Sequence, residues 1–338
     1  MVRLLGLLVA LLGSTSGDDV PPCAVDPWVR PGRSREPTQV SRDFAPYVAP
    51  TPAAAPAGSP FFERGKASVV FVHLSKSAGT TVKAALARAA AALRLRPPYT
   101  LFRRSWPEFA AACERGGEAC ERDLYAGTNA FGACELIVAR GAKAGRPRRC
   151  AYATVLRDPV ARLVSSWRYF CVAGAEKRKG WQPGWARAGG CPWTLTDWAR
   201  LMPAAATLEL STRQAPRAKL APANQTAGCP RLADGPESER SPPQSPRARA
   251  HLAAALANVV GPRAAVRAVT VADLGRGLAA LAGELGLPLD PAFGATVENA
   301  NDGAAAALDP ALAAELRRLM PLDAALYDAV VAYRATPS

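Results

Sequence analysis

Two stretches of the chain share one order of features, and this order constrains the fold more than anything else in the sequence. The first has an apolar, β-branched run at Ser68–Val72, a turn of small residues, and a run with helical periodicity over Thr80–Leu93. The second has an apolar run at Cys150–Leu156, a polar stop, and helical periodicity over Val160–Phe170. Strand, turn and helix in this order open an α/β unit. The sequence therefore predicts an α/β fold, with a mostly parallel sheet flanked by helices.

The first turn reads HLSKSAGTT over residues 73–81. Small residues at a helix entrance expose backbone N–H groups, which bind phosphate with help from the helix dipole. Lys76 adds a positive charge, and Thr80 and Thr81 add hydroxyl donors. The ATP-binding pattern G-x-x-x-x-G-K-[ST] is absent, because Lys76 precedes Gly79 by three residues. The alternative is a plain Ser/Gly turn that caps a helix and exposes its lysine.

The second turn lies within TVLRDPVARLVSSW, residues 154–167. Asp158 suits the helix cap and Pro159 the first helical position. Arg157 at the strand end and Ser165 two helical turns later can converge on one anion; alternatively, Arg157 pairs with Asp158 and Ser165 only packs. Since parallel strands end at one edge of a sheet, the two turns together predict a cleft for a ligand with two separated phosphates.

The two elements together resemble the sulfotransferase superfamily. HLSKSAGTT is similar to its 5′-phosphosulfate loop, usually H-x-P-K-[TS]-G-G-[TS]-[TS], and TVLRDPVARLVSSW to its 3′-phosphate element. Similarity to the 6-O and 2-O heparan-type carbohydrate sulfotransferases and their algal and microbial relatives is carried by Leu195–Trp198, Ser211–Gln214 and Pro321–Tyr327. The resemblance covers residues 67–334, except for a Pro-, Arg- and Ser-rich insertion at 215–250.

This resemblance implies a P-loop-like sulfotransferase fold and a glycan O-sulfotransferase. Such an enzyme moves a sulfuryl group from 3′-phosphoadenosine 5′-phosphosulfate to a hydroxyl, or an amine, of an acidic or neutral polysaccharide or glycoconjugate. It implies no metal and no nucleic-acid partner. Lys76 is the expected catalytic cation at the leaving phosphate oxygen. The expected donor-binding residues are Ser75, Lys76, Ser77, Ala78, Gly79, Thr80 and Thr81 at the 5′ end, and Arg157 and Ser165 at the 3′-phosphate.

The general base is where the chain departs most from the family. Heparan-type relatives use a histidine between the two phosphate elements, and this chain has none between residues 74 and 250. We expect His73 to be structural and His251 to lie at the surface. Glu135 is the candidate base, since related sulfotransferases use glutamate; the alternative is a solvated surface charge. Two smaller departures are Ser75 in place of proline and Ala78 in place of glycine.

The N-terminal region of the chain and its cysteines indicate that the protein enters the secretory pathway. Residues 1–17 contain Arg3, a ten-residue apolar run and small residues, which is typical of a signal peptide; an uncleaved membrane anchor is the alternative. Residues 18–65 are Pro- and Ala-rich and predict a disordered stem before a domain over 66–338.

The eight cysteines lack metal-site spacing, so disulfides are expected, with Cys113–Cys120 and Cys171–Cys191 as plausible pairs. Together with the sulfotransferase resemblance, these features predict the Golgi lumen.

Two other functional classes stay open on the sequence alone. The missing histidine favours a catalytically weak, sulfotransferase-like protein that binds acidic glycans, and a small-molecule kinase is a more distant alternative. The formal net charge of +14 favours an acidic ligand without choosing one. The abundance of arginine and alanine is also typical of GC-rich codon usage, which would produce the same charge. Further helices are predicted over 250–259, 271–285 and 309–334.

Overall fold

The computed structural model describes residues 40–43, 46–54, 59–102, 105–128, 130–172, 193–201, 204–216, 245–295 and 308–336. The predicted signal peptide, the side chains of Cys171 and Cys191 and the centre of the 215–250 insertion lie outside these residues. So does Asn224-Gln225-Thr226, a sequence that predicts N-glycosylation in a secretory protein. Among the residues described, no helix combines the length and apolar composition that crossing a membrane requires.

A five-stranded, all-parallel sheet forms the centre of the molecule. Its strands are β2 (Ala67–Val72), β3 (Tyr99–Thr100), β4 (Leu124–Gly127), β5 (Arg149–Leu156) and β7 (Val266–Thr270), in the spatial order β3-β4-β2-β5-β7. The chain leaves β2 towards β3 and β4, then returns to the other side of β2 to form β5. The neighbours β2 and β5 therefore lie where the strand order reverses, and such a reversal opens a crevice at the carboxyl ends of the strands.

Helices cover both faces of the sheet, which confirms the α/β prediction at this level. In chain order the α-helices are α1 (Gly79–Ala92), α2 (Trp106–Arg115), α3 (Ala133–Lys143), α4 (Pro159–Ser166), α5 (Leu195–Leu201), α6 (Ala205–Ser211), α7 (Pro246–Val259), α8 (Leu274–Leu285), α9 (Ala292–Ala295), α10 (Pro310–Leu319) and α11 (Pro321–Ala335). Short 3₁₀ turns lie at Glu118–Cys120 and Val271–Asp273, and a π-helical turn at Trp167–Val172 follows α4.

Alternation along the buried strands assigns each helix to one face. Val69 and Phe71 of β2 pack with α1 and α8, whereas Val70 and Val72 pack with α2, α3, α7 and α11. Successive side chains of a strand point to opposite faces, so both faces of β2 are apolar because both are covered.

The first predicted helix, Thr80–Leu93, agrees with α1 (Gly79–Ala92) within one residue at each end. The α4 segment turns π-helical after Ser166, where an uninterrupted helix to Phe170 was expected. The single helix predicted over 309–334 is two helices. Pro321 disfavours helical geometry at the preceding residue, and Met320 accordingly has φ −121° and ψ 51°.

Part of the expected stem packs against the domain. A two-stranded antiparallel sheet joins β1 (Val40–Asp43) to β6 (Arg213–Pro216). Farther along, the buried Asn258 accepts a hydrogen bond from the Ala49 N–H at 2.8 Å and donates to the Tyr47 carbonyl at 2.9 Å. The Asn258 side-chain amide thus bonds two backbone groups of an extended segment that the sequence placed in the stem over 18–65.

Two disulfides lie among the described residues, and all four cysteines are buried in the core. Cys113–Cys120 is the local pair expected from the sequence, and it joins α2 to the following 3₁₀ turn. Cys134–Cys150 joins α3 to β5 and was not anticipated. Both are compatible with an oxidising, secretory compartment.

Candidate functional site: two loops at the carboxyl ends of β2 and β5

The loop between β2 and α1 has a backbone suited to an anion. Lys76 and Ala78 have positive φ angles of 65° and 54°, on either side of Ser77. Left-handed residues placed in this way turn successive N–H groups towards one point and create a concave anion site. Ala78 supplies no side-chain cap to the first N–H groups of α1, which are the groups that can bind an anion at a helix N-terminus.

Gly79 is required by the packing of His73. A Cβ atom at position 79 would lie 1.7 Å from His73 Cδ2 and 2.0 Å from Nε2, so the imidazole lies directly against the start of α1. Burial, and then the charges of Lys83 and Lys76, lower the pKa of His73 to about 4. The ring is therefore neutral near pH 7.

Lys76 is half-buried, and its ammonium lies against an aromatic ring. The Nζ atom is 3.8 Å from the ring centroid of Tyr169, which belongs to the π-helical turn after α4. The ring face attracts the cation electrostatically. Tyr169 was missed in the sequence, and only its position four residues after Ser165 hinted at it.

The second loop meets the first directly. Arg157, which is 4% exposed, donates from Nη1 to the Lys76 carbonyl at 3.2 Å. Beneath both loops, Thr154 of β5 donates from Oγ1 to the Val72 carbonyl at 2.8 Å. The two segments that the sequence predicted to share a cleft are thus in contact.

Two serine hydroxyls near these loops are buried and have no hydrogen-bond partner among the described residues. They are Ser77, 1% exposed, and Ser165, fully buried on α4. A buried hydroxyl without a partner costs about 1–3 kcal/mol. Both are therefore candidates to bind a polar ligand. Of the other predicted loop residues, Ser75 and Thr80 are exposed and Thr81 is buried.

Asp158 has a structural role at the start of α4. Its carboxylate accepts from the N–H groups of Val160 and Ala161, each at 3.0 Å, which confirms it as the predicted cap. It also pairs with Arg317 of α10 at 2.9 Å.

A buried ion pair holds α4 in place. Arg162 Nη2 lies 2.5 Å from Asp323 Oδ2, and both side chains are almost completely buried. Asp323 Oδ1 also accepts from the Thr207 N–H and from Thr207 Oγ1, each at 2.8 Å. One carboxylate thus links α4, α6 and α11, a role that sequence reasoning did not find, although Asp323 lies in the stretch that carries the family resemblance.

Glu135, the candidate base, is hydrogen-bonded by two tyrosines. Its two carboxylate oxygens accept hydrogen bonds from Tyr47 Oη at 2.5 Å and Tyr152 Oη at 2.7 Å. Tyr152 lies on β5 and packs with α3, in the same core cluster as Leu74 of the Lys76 loop. These two hydrogen bonds occupy both carboxylate oxygens of Glu135, so it is not a solvated surface charge.

His251, expected at the surface, is instead fully buried in α7. Its Nδ1 lies 2.9 Å from Ser211 Oγ, in the contact between α7 and α6. His251 is buried because it lies on the apolar side of α7, with Ala248, Ala254 and Ala255.

A scan against protein-family models and a search of curated proteins both return no match to this chain.

Proposed function

We propose that this protein is a glycan O-sulfotransferase of the secretory pathway. It transfers a sulfuryl group from 3′-phosphoadenosine 5′-phosphosulfate to a hydroxyl, or an amine, of an acidic or neutral polysaccharide or glycoconjugate in the Golgi lumen. The P-loop-like sulfotransferase fold is part of the same proposal.

The hydrogen bond from Arg157 to the Lys76 carbonyl carries the proposal. It brings an arginine at the end of β5 to the anion-binding loop after β2, so that one ligand can reach both. The 5′-phosphosulfate would occupy the concave backbone between Lys76 and Gly79. The 3′-phosphate would lie against Arg157 and the Ser165 hydroxyl. A ligand of this kind would also supply the partner that the buried Ser165 lacks among the described residues.

The proposed reaction is an in-line displacement at sulfur. The acceptor oxygen forms a bond to sulfur as the bond from sulfur to the bridging phosphate oxygen breaks, and the bonding electron pair stays on that phosphate oxygen. The Lys76 ammonium stabilises the charge that develops there. The acceptor proton passes to a base or to solvent. The products are a sulfated glycan and adenosine 3′,5′-bisphosphate.

Calorimetry with two nucleotides tests the donor site. We expect adenosine 3′,5′-bisphosphate to bind the full-length protein, and adenosine 5′-monophosphate to bind at least tenfold more weakly, since charge-assisted hydrogen bonds contribute about 1.5–3 kcal/mol. Arg157→Ala should weaken bisphosphate binding by about 10- to 100-fold and leave the monophosphate unaffected. Arg276→Ala, at an exposed arginine of α8, is the matched control. Equal binding of both nucleotides by the unmodified protein would contradict the proposal.

Transfer of labelled sulfate to a panel of acidic and neutral polysaccharides tests the activity. We expect Lys76→Ala to abolish transfer while bisphosphate binding persists, because the ammonium acts on the bridging oxygen. Absence of transfer to every acceptor, with tight bisphosphate binding, would contradict enzymatic activity.

That last outcome would support a second candidate, a catalytically weak protein that keeps the donor fold and binds acidic glycans. The state of the candidate base and of the nearest histidine favours it. Glu135 is hydrogen-bonded by two tyrosines, and the low pKa of His73, about 4, makes its imidazole a weak base.

A further inference from the structure

We propose that Tyr169 is a positioning residue for the catalytic lysine, holding the Lys76 ammonium in place for the proposed sulfuryl transfer. This inference rests on the proposed function. It adds a residue that no motif in the sequence singles out, and it assigns the π-helical turn Trp167–Val172 a purpose.

The contact itself is the first argument. The Nζ atom lies 3.8 Å from the centroid of the Tyr169 ring, and both side chains are half-buried. Partial removal from water strengthens the attraction between an ammonium and a ring face. The distance is well within the ~6 Å over which such contacts act.

The position of Tyr169 on its helix is the second argument. Tyr169 follows Ser165 by four residues, and residues with this spacing lie on the same side of a helix. The helix becomes π-helical between them, and single π turns are frequent at functional sites. One side of this helical segment thus carries Ser165, proposed to bind the 3′-phosphate, and a ring that contacts the lysine of the 5′ loop.

The restraint on Lys76 at both ends is the third argument. Its backbone has φ 65°, and its carbonyl accepts the hydrogen bond from Arg157. The ring holds the far end of the side chain. A lysine has four rotatable side-chain bonds, so fixing both ends restricts the ammonium to a small volume before the donor arrives.

The ring makes and breaks no covalent bond in this scheme. The acceptor oxygen still bonds to sulfur, the bridging oxygen still leaves with its electron pair, and the acceptor proton still goes to a base or to solvent. Tyr169 affects only where the Lys76 ammonium lies when the bridging oxygen gains charge. Its hydroxyl is not needed, which separates a positioning role from acid–base chemistry.

Three variants of the full-length protein test the inference: Tyr169→Phe, Tyr169→Leu and, as a control, Tyr333→Leu at a more exposed tyrosine of α11. We expect Tyr169→Phe to keep kcat within about twofold, because its ring face is retained. Tyr169→Leu should lower kcat by about 5- to 30-fold, which corresponds to the strength of a partly desolvated cation–ring contact. The Kd for adenosine 3′,5′-bisphosphate should change by less than threefold, and Tyr333→Leu should behave as the unmodified protein.

A second measurement reports the contact without any turnover. Reductive ¹³C-methylation of the lysines should give a Lys76 signal that is shifted upfield by the ring, identified by its loss in Lys76→Ala. The shift should persist in Tyr169→Phe and disappear in Tyr169→Leu. In a Lys76→Ala background, Tyr169→Leu should cause no further loss of bisphosphate affinity or of any residual transfer.

The outcomes separate the two proposals. Normal kcat in Tyr169→Leu, an equal loss in Tyr169→Phe, or an unshifted Lys76 signal would each overturn the positioning role while leaving the transferase proposal intact. Absence of bisphosphate binding and sulfate transfer in the unmodified protein would overturn both, whatever the lysine signal shows.

Discussion

Gly79→Ala should destabilise the protein because the new methyl group collides with His73. The added Cβ would lie 1.7 Å from Cδ2 and 2.0 Å from Nε2, whereas carbon atoms pack at about 3.5–4.0 Å. The imidazole would therefore have to move by roughly 2 Å. It cannot move freely, since the His73 backbone donates to the Gly127 carbonyl at 2.9 Å and the ring stacks on Phe71.

The size of the effect follows from two opposing contributions. Overpacking of this kind costs about 1–3 kcal/mol. Alanine favours a helix over glycine by up to about 1 kcal/mol, which offsets part of this cost. We therefore expect the free energy of unfolding to fall by about 1–2 kcal/mol, measured by urea denaturation.

Two variants make this prediction specific to the clash. Gly283→Ala on α8 is the matched control, because nothing lies within 4 Å of its Cβ position; it should be neutral or stabilising. Truncating the ring in the double variant Gly79→Ala/His73→Ala should make the Gly79 substitution harmless. The reasoning is refuted if Gly79→Ala is as benign as Gly283→Ala, or if its cost is unchanged once the ring is gone.

Three further predictions concern stability. His73 has a pKa of about 4 when folded and an ordinary value of 6.5, so the unfolded chain binds more protons between these values; stability should therefore fall by up to about 3 kcal/mol as the pH drops from 6.5 to 4, and His73→Gln should flatten this part of the urea-unfolding profile. Asp323→Ala should cost about 3–5 kcal/mol in chemical denaturation, because it leaves Arg162 buried without its carboxylate; a loss below 1 kcal/mol would contradict the pairing. Replacing Cys134 and Cys150 together by alanine should lower stability by about 3 kcal/mol, as expected for opening a loop of this length, and an unchanged thermal transition would argue against the disulfide.

Much of the fold could be read from local patterns. The apolar runs at Ser68–Val72 and Cys150–Leu156 form buried strands, and the turn after each one leads into a helix, because strand and helix periodicities are properties of neighbouring residues. Asp158 could be recognised as a cap for the same reason. Pro321 carried a local signal too, although the leucine spacing across it suggested one continuous helix.

The contacts that build the site depend on residues far apart in the chain. Arg157 reaches a carbonyl 81 residues away, and Arg162 pairs with a carboxylate 161 residues away. Glu135 is hydrogen-bonded by Tyr47 from across 88 residues, which no local pattern could indicate. Periodicity reveals which side of an element is buried but not what covers it. The tertiary structure decides these contacts, because β5 pairs with β2 and not with β4. This pairing places Arg157, at the end of β5, beside the Lys76 loop that follows β2.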